Sequence, residues 1–211
     1  ILFESDFESE LNTQWYERRG TWQREDGMLV SGPSCLNDCE FGAAMIRTRE
    51  TIEIPADSRF SLELEFVIPT AESDQSRIHV VLQQAASNLE WIPGGYNGQR
   101  LLHYFREARV GAVEQDNFHW FPDIVDRFDF QHPWSDTLGM RYHVRFRFCA
   151  EDGYEIVVTD EHGTEVYQRD SAIRNMSIPS SMSHYHSVHL YLIAEGEGKR
   201  FDNVRITAGC E

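Results

Sequence analysis

Hydrophobic and polar residues alternate along most of this chain, at the two-residue period of a half-buried strand. Residues 60–68, FSLELEFVI, set Phe60, Leu62, Leu64 and Phe66 against Ser61, Glu63 and Glu65, and Pro69 stops the run. Residues 77–83, RIHVVLQ, place Ile78, Val80 and Leu82 on one face and Arg77, His79, Val81 and Gln83 on the other. Residues 141–148, RYHVRFRF, turn Tyr142, Val144, Phe146 and Phe148 inward and Arg141, His143, Arg145 and Arg147 outward. The turn EDG (151–153), the strand YEIVVTD, the turn EHG (161–163) and the strand TEVYQ follow. Residues 185–193 turn Val188, Leu190 and Leu192 inward and Ser187, His189 and Tyr191 outward, and RFDNVRIT (200–207) forms the last strand.

RLLHYFREAR (100–109) reads as a buried strand with apolar residues on both faces, which leaves open whether His103 or Tyr104 faces outward. Helical periodicity is nearly absent. Many short strands separated by turn signals predict an all-β fold, a two-sheet antiparallel β-sandwich or a barrel. Two long loops interrupt the pattern, AASNLEWIPGGYNGQ at 85–99 and a stretch at 121–139 that contains Pro122, Pro133 and Gly139. Loops of that length in a compact domain carry function or move.

Length and charge narrow the picture. The 211 residues suit one domain spanning 1–211, and 41% hydrophobic with 12% aromatic residues suffices for a sizeable core. The net charge of -16 sets nucleic acid aside, because that field repels a phosphate backbone. No stretch approaches the roughly 20 apolar residues of a membrane helix. Lys199 is the single lysine, all other basic residues being arginine. The four cysteines, Cys35, Cys39, Cys149 and Cys210, suggest two disulfides and a secreted, extracellular or periplasmic protein. Of three pairings, Cys35–Cys39 with Cys149–Cys210 is preferred because the first pair shares a loop. The rival is zinc at C-x3-C, for which no histidine stands nearby. The chain opens at Ile1, which fits a processed N-terminus, and a monomer is expected.

Several segments resemble one superfamily. LFESDFESELNTQW (2–15) resembles the opening strand of concanavalin A-like jelly rolls, the fold of laminarinase-type glucanases, legume lectins and galectins. TWQREDGMLV (21–30) resembles their second strand, with its tryptophan, its Asp-Gly turn and the hydrophobic pair after it. RFDNVRI (200–206) resembles their closing strand, and YHVRFRF…HGTEVY (142–167) is similar to their back-sheet hairpins. The strand layout also resembles small bacterial members of galectin-like shape. The resemblance spans most of the chain and implies a concanavalin A-like jelly roll. In the glucanase branch it further implies a structural calcium joining the first and last strands, at the positions of Asp6, Gly27 and Asp202. The alternative for Asp202 and Asn203 is a turn or a bond to a backbone amide.

The chain departs from the glucanases at the catalytic strand. Retaining hydrolysis needs two close carboxylates. The corresponding strand here is RLLHYFREAR, with His103 and Tyr104 where carboxylates belong and Glu107 at its end.

Outward positions of the front sheet form a candidate cleft: Arg77, His79, Gln83, His103, Asn117, His119, His189 and Tyr191, with Phe118 and Trp120 inward. This set is poor in carboxylates and rich in His, Arg, Gln, Asn and Tyr, which suits an anionic polysaccharide. Arginine or an amide can neutralise a uronate carboxylate, and a histidine or tyrosine can take the neighbouring proton. The candidate catalytic residues of such a polysaccharide lyase are His103, His79, Tyr104, His189 and Tyr191. Arg77, Gln83, Asn117, His119, Trp91 and Trp134 are candidates for holding the carbohydrate. A non-catalytic lectin-like binding module fits the same residues, as does a structural or adhesion domain. A glycoside hydrolase requires Glu90, Glu107, Glu114 or Asp116 to reach the groove. Strand histidines are more often hydrogen-bonded surface residues than catalysts. In SHYHSVH (183–189), His184 and His186 share a face while His189 takes the other, which argues against a metal there. The triplet Asn175-Met176-Ser177 is a glycosylation acceptor only in a eukaryotic secretory pathway.

Overall fold

A computed structural model describes residues 1–32, 43–55, 59–67, 75–86, 91–92, 95–96, 99–107, 114–119, 130–132, 139–149, 154–171 and 186–209. The segments between 91 and 132 are described by backbone and register. In chain order the strands are β1 (Phe3–Ser5), β2 (Trp15–Arg19), β3 (Trp22–Glu25), β4 (Met28–Ser31), β5 (Ala43–Thr48) and β6 (Ile52–Glu53). Then come β7 (Arg59–Val67), β8 (Gln75–Gln84), β9 (Trp91–Ile92), β10 (Gly95–Tyr96), β11 (Gln99–Glu107) and β12 (Glu114–His119). The last are β13 (Phe130–His132), β14 (Arg141–Cys149), β15 (Tyr154–Asp160), β16 (Glu165–Ser171), β17 (Ser187–Glu195) and β18 (Arg200–Ala208). One helical turn, α1 (Leu11–Gln14), precedes β2.

The back sheet has the order β16-β15-β14-β7-β18-β4-β3, with β1 also on β18. The front sheet has the order β13-β12-β11-β8-β17-β5-β2, with β6 also on β17. A separate ribbon pairs β9 with β10. The expected two-sheet antiparallel sandwich is present, and the first and last strands meet: Phe3 lies opposite Ile206 and Leu2 N donates to Ile206 O at 2.8 Å.

The alternation read along each strand becomes the core between the sheets. On β7, Phe60, Leu62, Leu64 and Phe66 are buried, and β14 aligns Phe148, Phe146, Val144 and Tyr142 directly opposite them. The rings stack across the pair, Phe66 against Tyr142 at 5.3 Å and Phe60 against Phe148 at 5.8 Å. From the front sheet, Ile78, Val80, Leu82, Val188, Leu190 and Leu192 complete the same cluster. Truncating any of these leucines to alanine removes about 2–5 kcal/mol.

Turn chemistry follows the sequence closely. Asp26 and Gly27 take φ of 51° and 77°, the two left-handed residues of a tight hairpin between β3 and β4. A Cβ on Gly27 would meet only the mobile end of the Glu8 side chain, so it is the positive φ that requires glycine. In the EHG turn, Asp160 Oδ1 accepts from His162 N at 2.9 Å and Thr164 N at 2.8 Å.

The ambiguity of RLLHYFREAR has a local cause. The β11–β8 register shifts between Arg100 and Leu102, so Leu101 is an extra residue in a bulge. A bulge resets alternation, which is why two leucines stand side by side. Beyond it, position 102 lies opposite Val80, position 103 opposite His79 and position 104 opposite Ile78.

Candidate functional site

His103, His79 and His119 form one row across the front sheet, His103 lying opposite His79 on one side and His119 on the other. Ile78, Val80 and Leu82 point into the sandwich, so His79, Val81 and Gln83 point out of the front face. Its described centre, on β5, β8 and β17, is buried. His79 is 1% exposed, Gln83 3% and Tyr191 2%. Ala43, Met45, Val81, Tyr191 and Ile193 make a second apolar cluster beside them. Period-two patterning assigns a side chain to a face but does not say whether that face is covered. Here the centre of the face is a buried floor with apolar residues of β5, β8 and β17 beside the polar ones.

The exposed polar chemistry lies at the margin of the same face, on β17, β5 and the edge strand β2. Tyr16, Arg47 and Tyr191 form one cross-strand row. Arg47 Nη1 lies 2.8 Å from Nδ1 and 2.7 Å from Nε2 of His189, and also donates to Thr48 O at 3.2 Å. Thr48 Oγ1 sits 3.4 Å from His189 Nδ1 and accepts from Leu190 N at 3.2 Å. A guanidinium can only donate, so its charge favours the neutral imidazole, and an Nη1 nearly equidistant from both ring nitrogens lies over the ring and is aimed at neither lone pair alone. Partial burial pushes the His189 pKa below its usual value, and the Arg47 charge pushes it the same way. Backbone bonds to Thr48 and Glu50, and the Glu50 charge, oppose this.

Tyr16 is 42% exposed, and three guanidiniums surround its ring: Arg47 at 5.3 Å, Arg49 at 5.7 Å and Arg18 at 6.0 Å from the centroid. Arg49 Nη2 also donates to Trp15 O at 3.4 Å. Neither Tyr16 nor these arginines was among the candidates read from sequence. Their signal was weak: AAMIRT puts Ala43, Met45 and Arg47 on one face, but only the pairing of β5 with β2 and β17 brings that arginine to a tyrosine and a histidine.

Of the other candidates, Arg77 registers opposite Phe105 and Glu195, Asn117 opposite Phe105, and Trp91 opposite Tyr96, and their side chains lie outside the described set. Tyr104 registers with Ile78, whose side chain is in the core. Trp134, Glu90, His184, Asn175, Cys35, Cys39 and Cys210 lie outside the described residues. Cys149 ends β14 opposite Arg59, and Gly209 N donates to Arg59 O at 3.0 Å, so the residue before Cys210 reaches Arg59 from the far side.

The candidate calcium residues were tested as a donor set. Asp202 Oδ2 lies 3.7 Å from Arg141 Nη1, while Asp202 Oδ1 accepts from Asn203 N at 2.8 Å. Just after Asp6, the carbonyls of Phe7, Glu8 and Ser9 all receive Arg24 Nη1, at 3.4 Å for Phe7 and 2.9 Å for Ser9. Arg141 thus approaches the last-strand aspartate, Arg24 takes the carbonyls that follow Asp6, and Gly27 faces the Glu8 side chain. Among the described residues no group of three or more His, Cys, Asp or Glu is placed to hold a metal. A hard cation wants about six to eight oxygens, and the residues here do not fit one.

A cavity of about 580 Å³ opens on the back sheet, lined in part by Glu4, Asp6, Glu65, His143 and Arg205. No aromatic side chain among the described residues lines it, and its arginine pairs with Glu4 at 3.7 Å. The Arg47 margin is therefore the better candidate.

No sequence-family model matches the chain, and no curated protein matches it. Solved structures do. A legume lectin-like domain from Entamoeba histolytica superposes with a TM-score of 0.62 at 10% identity, covering 99% of this chain and 97% of that one. A CBM2 module of the evolved Dit protein of Lactobacillus casei BL23 phage J-1 gives 0.60 at 10% identity, covering 97% and 94%. An alginate lyase from Pseudomonas aeruginosa gives 0.50 at 14% identity, covering 90% and 87%. At such identities the likeness is one of fold, and it agrees with the order of strands: the chain has the concanavalin A-like jelly-roll fold.

Proposed function

We propose that this protein binds an acidic carbohydrate on the front sheet, at the margin formed by β2, β5 and β17. The observation that carries this reading is Arg47, a half-buried guanidinium on the strand next to the edge, in contact with His189 and set over an exposed tyrosine. An aromatic face and a guanidinium fork are the two groups that recognise a sugar ring bearing a carboxylate. The lectin-like, CBM2 and alginate lyase neighbours support carbohydrate as the ligand class. The test is a binding panel of polyuronates against neutral polysaccharides. Polyuronate binding lost in Arg47→Ala supports the reading; equal binding of neutral polymers, or an unaffected variant, overturns it.

A second reading, polysaccharide lyase activity, is favoured by the state of His189. A histidine held neutral can accept a proton. In that reaction Arg47 neutralises the uronate carboxylate and His189 takes the C5 proton. The C5–H electrons form the C4=C5 double bond, the C4–O bond breaks, and water protonates the departing oxygen. Rising ultraviolet absorbance from the unsaturated uronate, abolished in His189→Ala, supports this reading. Binding with no such product leaves the protein a lectin-like module.

A further inference from the structure

We infer that Tyr16 with Arg18, Arg47 and Arg49 forms a sulfate-ester subsite, so that the preferred ligand is a sulfated acidic polysaccharide. This rests on the carbohydrate reading above and specifies the substrate class of that site.

The argument begins with charge compensation. Four back-sheet arginines have carboxylate partners: Arg141 with Glu65 at 2.9 Å, Arg147 with Glu155 at 3.4 Å, Arg200 with Glu25 at 3.5 Å and Arg205 with Glu4 at 3.7 Å. On the front margin, among the described residues, no carboxylate pairs with Arg18 or Arg47. A chain of net charge -16 has ample acid to neutralise them. Arg18 and Arg47, without a carboxylate partner among the described residues and beside one exposed ring, form a local positive field on a chain whose net charge repels anions.

The number of guanidiniums decides the anion. One carboxylate is satisfied by one bidentate fork. Arg18 and Arg47, both within 6.0 Å of the Tyr16 centroid, already offer more donors than that. A sulfate ester presents three terminal oxygens in a tetrahedral array and stays ionised at every physiological pH. Arg47, bonded to His189 on one side and over Tyr16 on the other, joins this subsite to the carboxylate-binding one. The β-bulge between Glu17 and Arg19 re-aims the edge strand at this point. The plainer role for charge on an edge strand is to block pairing with other chains.

The experiment measures binding of chondroitin and of chondroitin sulfate, which share a uronate backbone and differ in sulfate, with duplex DNA as a polyanion control. Chondroitin sulfate is expected to bind about tenfold tighter than chondroitin. Arg18→Ala, an exposed substitution, should remove that preference and leave chondroitin binding intact. Arg18→Lys should keep part of it, through charge without the fork. Equal binding of the two polymers overturns the subsite while the acidic-carbohydrate reading stands. Binding of the sulfated polymer alone supports the subsite and removes the uronate reading. Binding of neither defeats both, and DNA bound as tightly as chondroitin sulfate overturns the subsite as mere polyanion attraction. An Arg18→Ala protein that aggregates with its sulfate preference intact shows edge protection instead.

Discussion

Arg47 Nη1 contacts both ring nitrogens of His189, at 2.8 and 2.7 Å, across the neighbouring strands β5 and β17. The guanidinium charge disfavours protonation of the imidazole beside it. The pair therefore ties the ionisation of His189 to the presence of the arginine.

Removing the arginine should release part of that constraint. Burial is the larger cause of the lowered His189 pKa and Arg47 the next, so Arg47→Ala should raise the value without restoring it fully to 6.5. NMR titration of the imidazole protons reads this directly, and an unchanged or lower value would contradict the assignment. The same shift has a stability consequence. Folded His189 binds its proton less tightly than the unfolded side chain, so on acidification from 6.5 downward the unfolded state takes up more protons. Stability contributed by neutral His189 is present above 6.5 and is lost as pH falls through the lowered folded value. Thermal melts of wild type and His189→Gln should converge as the pH falls through that window.

His79 should behave as a structural residue. At 1% exposure, behind Val81 and Ile193, it is part of the buried floor. His79→Ala is expected to cost about 1–3 kcal/mol through the cavity and lost hydrogen bonding. Denaturant unfolding checks it, and full stability with lost ligand binding would return His79 to the site.

These two histidines show where reading the sequence succeeds and stops. Both were assigned to the outward face of their strands, and both are on it. Runs such as Phe60 to Phe66 and Tyr142 to Phe148 are legible because each strand carries its whole signal within itself. What covers a face is not within the strand: the apolar floor under His79 arises from Met45 and Ile193 on neighbouring strands. The Tyr16–Arg47–His189 margin is assembled the same way, from residues about 30 and about 140 positions apart, so no single stretch announces it. RLLHYFREAR resisted assignment because one bulge residue switched its parity. The expected calcium is not confirmed: Arg141 approaches Asp202, and Arg24 takes the carbonyls just after Asp6.

Arg24 makes a concrete claim about metal dependence. Its guanidinium donates to three consecutive carbonyls and so fastens residues 7–9 to the β3–β4 hairpin. Chelator treatment should leave the melting temperature unchanged. Arg24→Ala should lower stability by about 1–3 kcal/mol, as expected for charge-assisted bonds to carbonyls left unsatisfied. A chelator-induced drop in melting temperature, reversed by added calcium, would defeat this account.

Asp202 supplies the opposite sign. Burial first, and the nearby Glu65 and Asp6 charges after it, push its carboxyl above the usual 3.8, while Asn203 N and Arg141 pull it down. The folded state therefore holds this proton to higher pH than the unfolded state does. Between 3.8 and the raised folded value the unfolded chain is already ionised, so stability falls as pH rises through that interval. Above it the cost of the buried charge is fully present. Asp202→Asn keeps an oxygen for Asn203 N, removes the charge beside Glu65 and Asp6, and gives up the 3.7 Å approach of Arg141. With repulsion and burial outweighing that long contact, the variant should melt about 2–4 °C higher than wild type at neutral pH, the shift expected of about 1 kcal/mol. Below the unfolded carboxyl pKa, where both residues are neutral, the two proteins should melt together. A variant less stable than wild type at neutral pH would mean that Arg141 outweighs the carboxylates around it, and that Asp202 is held as an ion pair after all.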